Sequence, residues 1–164
     1  MSEIKGRLEH LEHTVYHLVE RVEHLPAEVL YREPAPGEWP VMSTLAHLSE
    51  LLPYWAQEAA AIAHAPGAAF GRTHDDPRRL GAITEHGRDS ASDIALRIRD
   101  ALRQCVLTLR AIPPEQWSSA GLHPRRGSMT VEQVVDDFLI AHAEEHAAQI
   151  QSTLDAVQGT REVA

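Results

Sequence analysis

Two histidines four residues apart, His142 and His146, lie in the stretch AHAEEHAAQI near the end of the chain. Side chains at this spacing project from one face of a helix, one turn apart, so their imidazoles can bind the same divalent metal ion. Glu144 and Glu145 lie between them, and a carboxylate beside a ligand can orient an imidazole or accept a proton. The spacing by itself leaves two interpretations open, a metal site or hydrogen-bonded histidines in a protein core.

The helical phase of this segment favours buried histidines over solvent-exposed ones. Four apolar residues set the core-facing direction: Val131, Val134, Val135 and Phe138. At about 100° per residue, His142 falls within their arc, His146 lies about 40° from it, and Glu145 falls near its edge. Buried imidazoles lose hydration unless a partner satisfies them, so the pattern predicts either a metal or internal hydrogen bonds.

Composition limits the chemistry and the partners. The chain has 164 residues, a formal net charge of −9 and one cysteine, Cys105, and its length suits a single domain over residues 1–164. A lone cysteine excludes an internal disulfide and a multi-cysteine zinc site, so a metal would need histidine and carboxylate ligands. The negative charge argues against a nucleic-acid partner, and the lack of a long apolar run argues against a membrane partner. Because the N-terminus lacks a signal-peptide pattern, we expect a cytoplasmic protein that acts on a small molecule.

A metal site with an open coordination position needs at least a third protein ligand. Helical periodicity offers His47, Glu50 and Glu145 as candidates. His47 is the most informative of them because it lies at the edge of the apolar face of its helix, where a cleft between helices would border it. The remaining candidates are histidines near helix ends or in loops, for which we predict capping or surface roles: His64, His74, His86 and His123.

The first segment of the chain provides a contrast. It carries four histidines at helical spacings: His10, His13, His17 and His24. They fall opposite or beside the Leu and Val stripe of their helix, and charged residues share their face. We therefore expect a solvated helix face there rather than a metal site.

Helical periodicity dominates the chain and predicts an all-α four-helix bundle. In the first segment, apolar residues alternate steps of four and three from Ile4 to Leu25. This stripe could serve the internal core or a dimer seam. The second helix is predicted to begin at Pro40, whose fixed φ suits a first helical position. Residues 65–87 are rich in Gly, Pro, His and Asp and are predicted to form a long mid-chain connection that can include a short helix.

Capping signals mark the starts of the last two long helices. The third is predicted to begin near Ser90, with Asp93 in a capping arrangement. The fourth is predicted to follow Thr130, with Gln133 completing a capping box. Between them SSAGLHPRRGSM, residues 118–129, is predicted to be a loop, and no strand is expected in the chain.

Three segments resemble the DinB-like superfamily: PAPGEWPVMSTLAHLSE at 34–50, HPRRGSMTVEQVV at 123–135 and AHAEEHAAQI at 141–150. The resemblance covers nearly the whole chain. It implies a four-helix bundle, often dimeric, in which three histidines hold a divalent metal ion. By position, the implied ligands are His47, His142 and His146. Trp39 matches the tryptophan of the family motif, and the resemblance implies that it packs the loop against the bundle.

Relatives of different activities share this resemblance, and the leading hypothesis for the three-histidine set is an S-transferase that uses a small thiol such as bacillithiol or mycothiol. Three neutral ligands leave the full positive charge on the metal, which can lower the pKa of a bound thiol or water. Zinc fits such a site best, and nickel, iron or manganese also fit the ligand type. Glu145 and Glu50 are the candidate catalytic carboxylates. An anionic substrate or cofactor could meet any of three arginines: Arg78, Arg125 and Arg126.

Two other classes of function stay open. A metal-dependent hydrolase of an amide or ester would use the same three histidines without a thiol. A non-enzymatic dimeric bundle would bind a metal or a ligand without turnover. A homodimer is expected in each case, by the resemblance.

Overall fold

The computed structural model describes residues 2–159. Within them the chain forms seven α-helices: α1 Ser2–Val22, α2 Ala27–Leu30, α3 Val41–His64, α4 Pro77–His86, α5 Ala91–Arg110, α6 Val131–Val135 and α7 Ala141–Gly159. A short 3₁₀ turn, Pro114–Gln116, follows α5. Two strands, β1 Ala120–His123 and β2 Gly127–Thr130, form a hairpin before α6.

The four long helical segments pack around the bundle in the order α1, α5, α3 and α6–α7. α3 contacts both α5 and α7, and α1 contacts the same two helices from the other side. α1 and α3 therefore stand diagonally across the bundle, although they follow each other along the chain. The predicted four-helix bundle is confirmed, and its order differs from a simple up-down arrangement.

The core is built from the apolar stripes of these helices. In α1 the stripe is buried inside the chain's own core: Leu8, Leu11, Val15, Leu18 and Val22. Burying this apolar surface is the main favourable contribution to folding. Because the stripe packs against α5 and α7, the internal core accounts for it and a dimer seam is not needed to explain it. Within residues 2–159, no helix combines the length and the apolar character that crossing a membrane requires.

The predicted helix starts are confirmed by their capping hydrogen bonds. Ser90 Oγ accepts the backbone N–H of Asp93 at 3.1 Å. Thr130 Oγ1 accepts from the N–H of Gln133 at 3.2 Å, and Gln133 Oε1 accepts from the N–H of Thr130 at 2.9 Å, which is a complete capping box. Pro40 precedes the first helical residue of α3 instead of being it, because its ψ of 161° is extended.

The prediction of a strand-free loop at 118–129 is wrong. Residues 120–123 and 127–130 pair as antiparallel strands, with His123 opposite Gly127 at the turn. Gly127 has a φ of 72°, a conformation that glycine adopts without strain. The strands escape sequence analysis because four residues are too few to show alternation. Phe70 also donates its N–H to the carbonyl of Leu122, so the mid-chain connection anchors the hairpin.

The mid-chain connection contains α4, which agrees with the prediction of a short helix. Asp76 caps it, because its carboxylate accepts the backbone N–H groups of Arg78 and Arg79. Pro77 occupies the first helical position. α4 packs against α3 and so brings the connection next to the central helix of the bundle.

Candidate metal centre

A π-helical turn, Asp136–Ile140, joins α6 to α7 and changes the phase of the helix. The buried apolar residues before the turn are Val131, Val134 and Val135. Within and after it they are Leu139, Ala143, Ile150, Leu154 and Val157. A π turn accommodates one extra residue, which rotates the following side chains by about 100°. Phe138 and His142, which an uninterrupted helix would place in the core, instead line a pocket at the edge of the bundle.

The prediction that His142 and His146 project into the bundle core is therefore wrong, because both side chains line the pocket at its edge. Both side chains are half-buried, whereas Leu139 and Ala143 take the core positions. Glu145, predicted at the inward edge of the arc, is exposed. The physical reason is the π turn, across which a constant 100° step does not hold.

His47 of α3 lies against the histidine pair of α7. Its side chain is only 4% exposed. Its ring centroid is 5.2 Å from that of His146 and 6.4 Å from that of His142, and the rings of the pair are 5.1 Å apart. Each of the three offers one nitrogen, and these nitrogens all lie within 4.8 Å of one another. Three imidazoles from two helices thus converge closely enough to bind a single metal ion.

Two ring nitrogens in this cluster are buried and have no hydrogen-bond partner within residues 2–159, Nδ1 of His47 and Nε2 of His146. Buried polar atoms are rarely left unpaired in proteins, because the lost hydration is not recovered. A metal ion would satisfy both lone pairs. The side chains present therefore fit a divalent metal, and histidine nitrogens suit zinc, nickel, iron or copper more than magnesium or calcium.

Gln149 fixes the tautomer of His146. Its side-chain carbonyl oxygen lies 3.0 Å from Nδ1 of His146. A carbonyl oxygen can only accept, so Nδ1 carries the proton and Nε2 presents its lone pair. Gln149 was not among the candidate site residues, although its position three residues after His146 places it on the same helix face.

The electrostatic environment keeps all three imidazoles neutral and able to act as ligands. Burial, together with the charges of His146 and Arg79, lowers the pKa of His47 to about 3. Burial also lowers the pKa values of His142 and His146, and the negative charge of Glu145 opposes this effect. A metal ligand must be deprotonated, so the cluster avoids competition from protons at neutral pH.

The three histidines form one side of a pocket of about 240 Å³. The other lining residues come from α3, α4, the hairpin, the π turn and the segment before α4: Trp55, Arg72, Thr73, His74, Arg79, His123, Arg125, Arg126 and Phe138. Phe138 stacks on Trp55 with ring centroids 4.1 Å apart. The pocket therefore combines a candidate metal centre, an aromatic wall and several cationic side chains.

Glu50 lies behind this pocket, bound to Arg72. Nη1 and Nη2 of Arg72 donate to the two oxygens of Glu50 at 2.5 and 2.6 Å. The guanidinium of Arg72 also lies 3.9 Å from the ring centroid of Tyr54. Glu50 thus holds a guanidinium at the pocket wall, which is the bidentate geometry of a strong ion pair.

The structure places two of the three arginines expected at the site in the pocket. Arg125 and Arg126 line the pocket, as their candidacy requires, but Arg78 lines other surface grooves. Its neighbour Arg79 lines the pocket instead. Arg79 lines the pocket and Arg78 does not, because adjacent residues in the first turn of α4 point about 100° apart.

His123 is also placed differently from the expectation of a cap or surface residue. It is buried, and its Nδ1 accepts the backbone N–H groups of Arg125 and Arg126 at 3.3 and 3.2 Å. Its ring lies 5.3 Å from that of Phe138. The other three follow the expectation more closely, since His64 and His74 are exposed and His86 contacts Asp89 at a helix end.

Trp39 contacts the site in addition to packing the loop before α3. Its ring stands edge-on to His47 with centroids 5.9 Å apart, and Arg79 lies 5.2 Å from its ring centroid. The loop that carries it therefore helps to enclose both the buried histidine and a pocket arginine.

The sequence matches the family model described as the DinB superfamily over residues 10–150. Among curated proteins, none matches the sequence. The fold is similar to the structure of YfiT from Bacillus subtilis, described as a probable metal-dependent hydrolase with an unusual four-helix bundle topology. The TM-score is 0.78 at 17% identity, covering 97% of this chain and 89% of that one.

The fold is also similar to a mycothiol-dependent maleylpyruvate isomerase. The TM-score is 0.69 for that enzyme and 0.71 for a mutant form of it, each at 11% identity. Both comparisons cover 90% of this chain and 60% of the isomerase. At these identities the similarity establishes the fold, and the activity must be argued from the site.

Proposed function

Because this chain belongs to the DinB superfamily and gathers three histidines at one pocket, we propose that it is a metal-dependent S-transferase acting with a small thiol of the bacillithiol or mycothiol type. The observation that carries the proposal is the cluster of His47, His142 and His146, in which two buried ring nitrogens lack partners. Zinc is the proposed metal, and nickel, iron and manganese are the other candidates.

The proposed roles follow from the contacts of each residue. His47, His142 and His146 hold the metal, which when bound would act as a Lewis acid and lower the pKa of a thiol. Gln149 keeps Nε2 of His146 free of its proton. Glu145 is exposed beside both α7 histidines and is proposed to accept the thiol proton.

Glu50 is proposed to position Arg72 rather than to accept a proton. Both of its oxygens already accept hydrogen bonds from that guanidinium. Because the guanidinium occupies both oxygens, the geometry favours a positioning role over direct contact with a substrate proton.

The thiol must come from outside the chain. Cys105 is the only cysteine in the sequence, and it is buried in the core. Burial raises its pKa to about 12, so its thiolate is scarcely populated at neutral pH. An external small thiol would supply the sulfur that a transferase needs.

Metal analysis of untagged protein, purified without chelators, tests the metal site. We expect about one equivalent of metal per chain in the wild type and a loss of it in His47→Ala and His142→Ala. His13→Ala serves as a matched control, because it removes an exposed histidine from α1. Equal metal content in the wild type and the two site variants would remove the proposal.

A thiol-transfer assay tests the reaction. With chlorodinitrobenzene as the electrophile, the thiol sulfur forms a bond to the ring carbon, chloride leaves, and the thiol proton passes to a base. We expect turnover with bacillithiol or mycothiol that depends on His142. If bacillithiol, mycothiol, glutathione and cysteine all react only at the background rate, the transferase assignment fails and the metal site remains.

A metal-dependent hydrolase of an amide or ester is the second candidate. It is favoured by the similarity to YfiT, of which this chain covers 89%. The discriminating result is turnover of a model ester or amide without added thiol. A chain that binds metal, is stabilised by it and turns over neither class of substrate would instead be a non-enzymatic metal- or ligand-binding bundle.

We also propose that the chain forms a homodimer. Leu96 and Leu107 of α5 are each 60% exposed, and their separation of eleven residues places them on one helix face. Sedimentation of the purified protein tests this, and a monomeric mass at micromolar concentration would contradict it.

A further inference from the structure

The charge of the histidine pocket differs from that of the chain. The sequence carries a formal net charge of −9. Among the described residues that line the pocket there is no carboxylate, but there are four arginines: Arg72, Arg79, Arg125 and Arg126. Cationic walls in a concave site concentrate anions from solution, even when the whole protein is acidic.

Two of the four guanidiniums already have a counter-charge. Arg72 is paired with Glu50, and Nη2 of Arg126 contacts Asp137 at 2.6 Å. Within residues 2–159, neither Arg79 nor Arg125 forms an ion pair with a carboxylate. The pocket therefore carries the positive charge of two arginines that no described carboxylate neutralises by direct contact.

The side chain of Arg79 is held in place by contacts with His74 and Trp39. It is half-buried, its Nη1 donates to the carbonyl of His74 at 2.9 Å, and it lies 5.2 Å from the ring of Trp39. These contacts fix one edge of the guanidinium and leave its other N–H groups available. Burial and the charge of Arg72 lower its pKa, and the charge of Glu50 opposes this effect.

Arg79 also lies close to the candidate metal centre and to a flat apolar surface. Its charge contributes to the lowered pKa values of His47, His142 and His146, after the larger effect of burial. Phe138 packs against Trp55, with ring centroids 4.1 Å apart, and beside His123, with centroids 5.3 Å apart, and all three line the same pocket. The volume of about 240 Å³ is below the ~300–1,000 Å³ of pockets for drug-sized ligands.

We propose that this pocket binds small carboxylates with a flat or apolar body, using Arg79 as the bidentate carboxylate-binding residue and Arg125 as a second positive charge at the rim. The body of the ligand lies against Phe138. The inference rests on the proposed function in that it names the substrate class of the same pocket. The fork of an arginine matches a carboxylate in plane and spacing, which a neutral amide does not reproduce.

Benzoate and benzamide are suitable probes, because they share a shape and differ in charge. Each is titrated into metal-free wild-type protein and into zinc-loaded protein, with binding followed by amide chemical shifts in NMR spectra. We expect saturable benzoate binding in both forms, about tenfold or more tighter than benzamide binding. The proposal is overturned if benzoate binding does not saturate. It is also overturned if benzoate binds the metal-free protein no more tightly than benzamide does.

Three variants assign the effect to residues. Arg79→Gln is expected to weaken benzoate binding by about tenfold and to leave benzamide binding unchanged. Arg125→Gln is expected to have a smaller effect, because its side chain is exposed. Arg103→Gln, at an exposed residue of α5 paired with Asp100, is the matched control with no expected change. An unaltered benzoate affinity in Arg79→Gln would contradict the assignment.

The design separates this inference from the proposed function. Metal-free protein removes any direct contact between benzoate and a metal, so discrimination there reports the arginines alone. A wild type that prefers benzoate but carries no metal would refute the metal-dependent function and support the carboxylate pocket. A wild type that binds metal but does not prefer benzoate would refute only the carboxylate pocket.

Discussion

The chain carries two histidine pairs with the same spacing, His13 and His17 on α1 and His142 and His146 on α7. Their ring centroids are also at comparable distances, 6.0 Å for the first pair and 5.1 Å for the second. The α1 pair is exposed, as the sequence predicts, whereas the α7 pair is half-buried and faces a third histidine from α3.

The difference shows what a spacing of four can and cannot indicate. It brings two imidazoles onto one helix face in both places. A metal centre needs a third ligand from another element and the exclusion of water, and both depend on how helices pack. Within residues 2–159, a third histidine, His47, comes within metal-binding distance only at the α7 pair.

The largest expected difference between the two sites is in how the free energy of unfolding depends on pH in acid. The folded-state pKa of His47 is about 3, mainly because of burial, against about 6.5 in the unfolded chain. Between these values the unfolded state binds more protons than the folded state. The free energy of unfolding of metal-free protein therefore falls as pH decreases from about 6.5 to about 3, by up to ~1.4 kcal/mol per pH unit for this histidine.

Urea unfolding of metal-free wild type, His47→Gln and His13→Gln across this pH range measures the effect. We expect His47→Gln to lose part of the pH dependence. His13→Gln, at an exposed residue of α1, is the matched control. Identical slopes in all three proteins would show that His47 titrates as an exposed histidine does.

A smaller effect is expected from the residue that orients His146. Gln149→Ala removes the acceptor for Nδ1–H, so both tautomers of His146 become populated. Loss of such a supporting hydrogen bond typically lowers metal affinity by about 10–100-fold. Zinc affinity is measured by competition with a chelator of known strength.

Gln151→Ala is the matched control for this substitution. Gln151 lies on the same helix and donates to Asp155 instead of to a histidine. Its affinity for zinc should equal that of the wild type. A Gln149→Ala protein that keeps wild-type affinity would mean that packing alone orients His146.

The smallest effect is expected where an exposed histidine of α1 meets α7. His10 Nε2 lies 2.7 Å from a carboxylate oxygen of Glu144, and both side chains are about half exposed. Exposed pairs of this kind contribute about 0–1 kcal/mol. Glu144→Gln should therefore change the free energy of unfolding by less than ~1 kcal/mol and leave metal content unchanged, as checked by urea unfolding and metal analysis.

The predictable part of the fold is the part that rests on local signals. The stripe of α1, the cap at Ser90 and the capping box at Thr130 follow from residue spacing and side-chain hydrogen bonding within a few positions. The hairpin at 120–130 was missed because its strands are short and draw support from Phe70, far away in the sequence.

The candidate site was predictable in its residue types and only partly in its geometry. His47 entered the ligand set by position in a family pattern, and the structure brings its ring next to His142 and His146. The direction of the α7 pair was not predictable, because no residue in DDFLI signals a π turn in a helix-period calculation. Gln149 could have been found from its spacing after His146.

The sequence by itself determined the helices, their caps, the absence of any cysteine ligand and the presence of histidines at metal-binding spacing, since these depend on neighbours along the chain. Among the residues that the structure describes, the tertiary structure decided which pair meets a third histidine, which arginines remain without a counter-charge, and which buried nitrogens lack partners. Those properties depend on helix packing and on one extra residue in a turn, because burial and charge compensation are set by groups distant in sequence.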